Sequence, residues 1–118
     1  LQWHDYEKAL SLAQSSGRPI LFLLYANWCP TCHAYSEIFY DKRIVEASKH
    51  VILARANADL NPTLNQKYDL DGEYIPRVFL LNPNGEIIEA AYQEKAFPRY
   101  FLGVGNTHGF LDLLTTTP

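Results

Sequence analysis

The chain has 118 residues, 47% of them hydrophobic and 19% charged, with a net charge of −3. That length buries a core without disulfide staples, and it reads as one domain, 1–118. The mild acidity offers no basic field for nucleic acid or anionic lipid, and no apolar run approaches membrane-spanning length, so a soluble monomer is expected.

In chain order, Trp3, Tyr6, Leu10 and Ala13 recur at helical spacing, which predicts an amphipathic helix over 3–16 closed by Gly17. Arg18-Pro19 breaks the chain before Ile20-Leu21-Phe22-Leu23-Leu24-Tyr25, an apolar run with the length and composition of a buried strand. A helix is expected from Thr31 to about His50, with a kink or brief break near 41–43 where Asp41-Lys42-Arg43 interrupts the apolar face. Val51 to Ala58 reads as a second strand, and Asp59 to Lys67 as a short helix with Pro62 near its first position. After a turn-rich stretch, Arg77 to Leu81 is the third strand, Asn82-Pro83-Asn84-Gly85 a tight turn, and Glu86 to Ala91 its hairpin partner. Tyr92 to Gly105 carries no clear pattern, and Asn106 caps a last helix over roughly 107–114. Helices and strands in this order give an α/β fold with a mixed sheet flanked by helices.

Both cysteines fall in Trp28-Cys29-Pro30-Thr31-Cys32-His33, where the first strand empties into a helix. Unpaired N–H groups at a helix start favour thiolate over thiol, and the thiolate is the species that attacks a disulfide. Cys29 is therefore the expected attacking sulfur, and Cys32, one turn on, the resolving one. Pro30, Thr31 and His33 are expected to tune the pair: a ring that stiffens the turn, a hydroxyl for the thiolate, and a nearby imidazole. A structural disulfide would close too short a loop to constrain the unfolded chain much. Zinc on the cysteines with His33, His4, His50 or His108 lacks the second close ligand pair that structural sites use. No metal is expected, and no cofactor beyond a redox-active Cys29–Cys32 disulfide.

Tyr25-Ala26-Asn27-Trp28-Cys29-Pro30-Thr31-Cys32, Asn57-Ala58-Asp59, Tyr74-Ile75-Pro76 and Asn84-Gly85 together resemble the thioredoxin superfamily over nearly the whole length. The resemblance implies a thioredoxin fold and a cis Pro76 facing the sulfurs. It also implies a substrate surface made by Trp28, Ile75 and Pro76, on which Ile75 pairs with an extended segment as in strand addition. Gly72-Glu73-Tyr74-Ile75-Pro76-Arg77 and Asn82-Pro83-Asn84-Gly85 look more narrowly like small secretory thioredoxins of the anterior-gradient kind and their exported bacterial relatives. That likeness implies an exported compartment, the bacterial periplasm ahead of the endoplasmic-reticulum lumen. The chain opens without a leader-like charged and apolar stretch and ends without a retrieval signal.

One position departs from the family. A buried Asp or Glu six residues before the first cysteine helps move the resolving thiol's proton; here that residue is Leu23, and Arg55 stands where thioredoxin has a nearby lysine. Slower resolution of mixed disulfides is expected. The expected activity is a thiol–disulfide oxidoreductase acting on protein thiols and disulfides with a thiol electron donor or acceptor, in either the reductase or the isomerase direction. A thioredoxin-fold chaperone or binding module, or a metal-handling thiol protein, would use the same sequence differently.

Overall fold

The computed structural model describes residues 2–30, 35, 37–103 and 105–116. Four strands form the sheet: β1 (Trp3–His4), β2 (Ile20–Tyr25), β3 (Ile52–Asn57) and β4 (Arg77–Leu81), in the order β1-β3-β2-β4. β3 runs parallel to both β1 and β2, whereas β4 is antiparallel to β2. The helices are α1 (Tyr6–Ser16), α2 (Lys42–Ser48), α3 (Pro62–Lys67) and α4 (Thr107–Thr115).

Side chains alternate across a strand, so the register assigns each face. Phe22 pairs with Phe79 on one face, against Tyr6 of α1 and Tyr68 after α3, with ring centroids 5.0–6.2 Å apart. Leu21, Leu23, Leu53 and Val78 point to the other face. There Trp3 meets Phe39, and Phe39 meets Phe110 of α4, edge to face. Phe22, Phe79 and Phe110 are almost completely buried, each contributing about 1.5–3 kcal/mol by leaving water. β2 and β4 are buried on both faces, which is why their sequences read as unbroken apolar runs.

Several boundaries differ from the sequence reading. The first helix starts at Tyr6, because Asp5 caps it by accepting the Lys8 N–H at 2.8 Å. Trp3 is thereby freed to pair beside Leu53 as an edge strand. Gly17 closes α1 in the left-handed region, its N–H donating to the Ala13 carbonyl. The long second helix is broken at 39–41. Asp41, in the charged patch where a kink or brief break was expected, is the N-cap of α2, accepting from the Arg43 N–H. α3 starts at Pro62, with Asn61 at its cap position.

The hairpin partner of β4 fails to form beyond one bridge, Leu81 to Ile87, and Glu89–Tyr92 curl into a 3-10 turn. The cause is a substitute for the missing strand. The Leu80 carbonyl accepts from the Ile88 N–H at 2.9 Å, but the Leu80 N–H donates to the Tyr92 hydroxyl, which donates in turn to the Val78 carbonyl. The Val78 N–H then finds the Tyr100 carbonyl at 2.7 Å. One phenol and one loop carbonyl satisfy groups that a fifth strand would otherwise pair.

Candidate functional site

The register decides what meets at the carboxyl end of β2. Leu24 lies opposite Arg77 and Tyr25 opposite Asn57, so the turn after β2, the loop after β3 and the residues before β4 share one end of the sheet. In α/β sheets ligands bind outside the carboxyl ends of strands. The Ala58 N–H joins two of these segments, donating to the Tyr25 carbonyl at 2.8 Å.

The turn after β2 is tight: the Cys29 N–H reaches back to the Ala26 carbonyl, and Pro30 begins helical backbone. Proline suits a first helical position, where its missing N–H costs nothing. Cys29 is 3% exposed and is not a free thiol. Its neighbour Trp28 is 67% exposed. The indole is nevertheless held, since Nε1–H donates to Asp59 Oδ2 at 2.8 Å. Asp59 is placed by Asn57, whose Oδ1 accepts the Asp59 N–H, while Asn61 Nδ2 donates to the Asn57 carbonyl. Asn57 and Asp59 matched the family pattern in sequence; their work here is to fix the tryptophan. Thr31, Cys32 and His33, the other residues expected at this site, lie outside the described residues.

The loop before β4 is organised from within. The Ile75–Pro76 peptide bond is cis, Pro76 is buried and Ile75 is half-buried. Arg77, directly after, is fully buried, and its Nη1 donates to the carbonyls of Tyr68, Asn65 and Gly72 at 3.1–3.4 Å. Nη2 donates to the Asn65 side-chain oxygen. The guanidinium thus caps the last turn of α3, where carbonyls lack helical partners and a cation is favoured. Burial pulls its pKa below the ordinary arginine value, and the charges of Glu73 and Asp69 oppose that shift. Sequence reasoning passed over Arg77; the available signal was a charge at the start of an otherwise apolar strand.

Leu23 is buried and lies opposite Arg55 and Val78 in register, so the position for which the family resemblance implied a buried acid is apolar here. Arg55 is exposed, its guanidinium 5.6 Å over the Trp3 ring. It borders a cleft of about 700 Å³ along the β1 side, also lined by Asp5, Glu7, Tyr25 and Leu60. Trp28, Cys29, Ile75 and Pro76 do not line that cleft.

Among the described residues no helix is long and apolar enough to cross a membrane. Anterior gradient protein 2 of Xenopus tropicalis is 29% identical over 87 residues, which cover 71% of this chain and 51% of that protein. The thiol:disulfide interchange protein DsbD of Yersinia pestis is 29% identical over 85 residues, 68% of this chain and 14% of that protein. The chain thus spans about half the length of the first relative and a small part of the second. The crystal structure of a disulphide isomerase from Xylella fastidiosa Temecula1 shares the fold, with a TM-score of 0.63 at 24% identity over 92% of this chain and 84% of that one. Residues 2–83 match a family model described as thioredoxin-like, a span that takes in the Trp28 turn, the Asn57–Asp59 anchor and the Ile75–Pro76 loop. On that match, and on a mixed sheet that brings those three segments to one end, the chain belongs to the thioredoxin-like family.

Proposed function

We propose that the protein is a thiol–disulfide oxidoreductase that acts on polypeptide disulfides through Cys29 and Cys32, in an exported compartment. The observation that carries this reading is the register. It brings the turn that carries Cys29 and the loop bearing Ile75 and Pro76 to one end of the sheet, which supports a path for an extended substrate along Ile75 towards the sulfur. Names of relatives in the family, a thiol:disulfide interchange protein and a disulphide isomerase, support the same chemistry.

In the reductive direction, the Cys29 thiolate attacks one sulfur of the substrate disulfide. A Cys29–substrate bond forms, the substrate S–S bond breaks, and one substrate thiolate leaves and takes up a proton. The Cys32 thiolate then attacks the Cys29 sulfur. The Cys29–Cys32 bond forms and the second substrate thiol departs. The substrate gains two electrons and two protons, the protein dithiol loses them, and an external dithiol or thiol reductant restores the pair. The isomerase direction uses the same first step, with a second substrate thiol resolving the mixed disulfide. The cysteine pair carries the electrons, so the reaction calls for no further cofactor.

Cys29→Ser is expected to abolish insulin reduction, while Cys32→Ser accumulates mixed disulfides visible by mass. Full insulin-reducing activity in the Cys29→Ser protein would overturn the assignment. The reduction potential of the pair sets the direction: a value near about −270 mV marks a reductase, one towards about −180 to −120 mV an isomerase or oxidase.

A further inference from the structure

Phe97 is 72% exposed, yet it is firmly held. Its ring stands edge-on to Tyr74, centroids 5.8 Å apart, and Tyr74 immediately precedes Ile75. The loop that carries it is tied to the Ile75 loop by the Arg99 N–H donating to Asp71 Oδ2 at 2.8 Å and the Tyr100 N–H donating to the Tyr74 hydroxyl at 3.0 Å. The Tyr74 hydroxyl donates to the other Asp71 oxygen. Gly72 makes room beneath both rings. A Cβ there would lie 3.1 Å from the Tyr74 ring and 3.8 Å from Phe97, at a φ of 138° that side chains rarely adopt. Phe97 also lies beyond residues 2–83, the span that the family match covers.

A loop braced in this way around a ring left in water forgoes the gain from burying a large apolar surface. Leu70 and Phe101, on the two tethered segments, are exposed as well. From these placements we infer that Phe97 determines substrate specificity: with Tyr74 it seats an apolar or aromatic side chain of the polypeptide lying along Ile75. The preferred substrate is therefore a disulfide flanked by apolar sequence, as partly unfolded polypeptides present. This inference rests on the oxidoreductase reading above.

The test uses the reduced protein in single-turnover reactions, quenched by alkylation, with three disulfides. Two are short cyclic peptides that differ only by Phe or Asp beside the cysteine; the third is oxidised glutathione. The wild type is expected to favour the Phe peptide by about tenfold, through half-saturation concentration rather than maximal rate. Phe97→Ala should remove that preference, leave the glutathione rate and the melting temperature unchanged, and be rescued by Phe97→Leu. Equal use of both peptides by the wild type, or an undiminished preference in Phe97→Ala, would overturn the inference while leaving the chemistry intact. No reaction of the wild type with any of the three would overturn the oxidoreductase reading and this inference with it.

Discussion

The two loops that meet at the end of β2 are held in opposite ways. The Trp28 turn is fastened from outside, by an indole N–H on a solvent-exposed carboxylate. The Ile75 loop is fastened from inside, by a buried guanidinium that gathers three carbonyls and a side-chain amide. An exposed hydrogen bond competes with water and contributes little net stability, whereas a buried donor that loses its acceptors leaves an uncompensated desolvation cost. One wall of the site is therefore adjustable and the other is fixed by the fold itself.

The largest effect should come from breaking the fixed wall. Arg77→Met leaves the buried carbonyl of Tyr68 and the partly buried ones of Asn65 and Gly72 without this donor, at a cost of about 3–5 kcal/mol in urea unfolding. Arg77→Lys should recover only part of it, since an ammonium cannot reproduce the planar fork. An Arg77→Met midpoint equal to wild type would erase the contrast.

Alkaline pH should attack the same wall next. Burial raises the Tyr68 phenol above its ordinary value of 10.0, aided by its hydrogen bond to Tyr6, and burial with the bond to Asp71 does the same for Tyr74. Above the unfolded value the folded chain keeps protons that the unfolded chain has released, so stability falls as pH rises. The unfolding midpoint should be insensitive to these phenols below pH of about 10 and decline above it. A midpoint unchanged from pH 9 to 11 would contradict the burial of these phenols.

Asp59→Ala sits at the small end. It should cost less than about 1 kcal/mol, because the bond it removes is exposed, yet it should shift Trp28 emission. A stability loss as large as that of Arg77→Met would show that both walls are fixed.

The sequence made the strands legible where burial is two-sided. Ile20–Tyr25 and Arg77–Leu81 were delimited correctly because nothing polar interrupts them before their ends. Caps with a specific side-chain or φ requirement, Gly17 and Asn106, were legible for the same local reason. Trp3 was misplaced on a helix because a two-residue edge strand is decided by its neighbour, not by its own pattern. Glu86 to Ala91 alternated well enough for a strand, but only tertiary structure shows a tyrosine six residues past Glu86 occupying the hydrogen-bonding edge. At the site, Cys29, Trp28, Ile75 and Pro76 stood out in the sequence. Asp59 stood out only as part of the family pattern, without its role on Trp28, and Arg77 and Phe97 did not stand out as site residues, because their importance lies in what they touch across the chain.

The seal that Tyr92 forms along β4 also bears on how copies of this chain behave toward each other. A sheet edge with unmatched amide groups is a template on which another chain can stack, strand upon strand, until fibres or amorphous deposits form. Here the central groups of that edge are occupied before any neighbour arrives, by an aromatic that is itself 2% exposed and does not easily swing away. The phenol oxygen of Tyr92 and the loop carbonyl of Tyr100 thereby keep this edge from serving as a template for another copy of the chain.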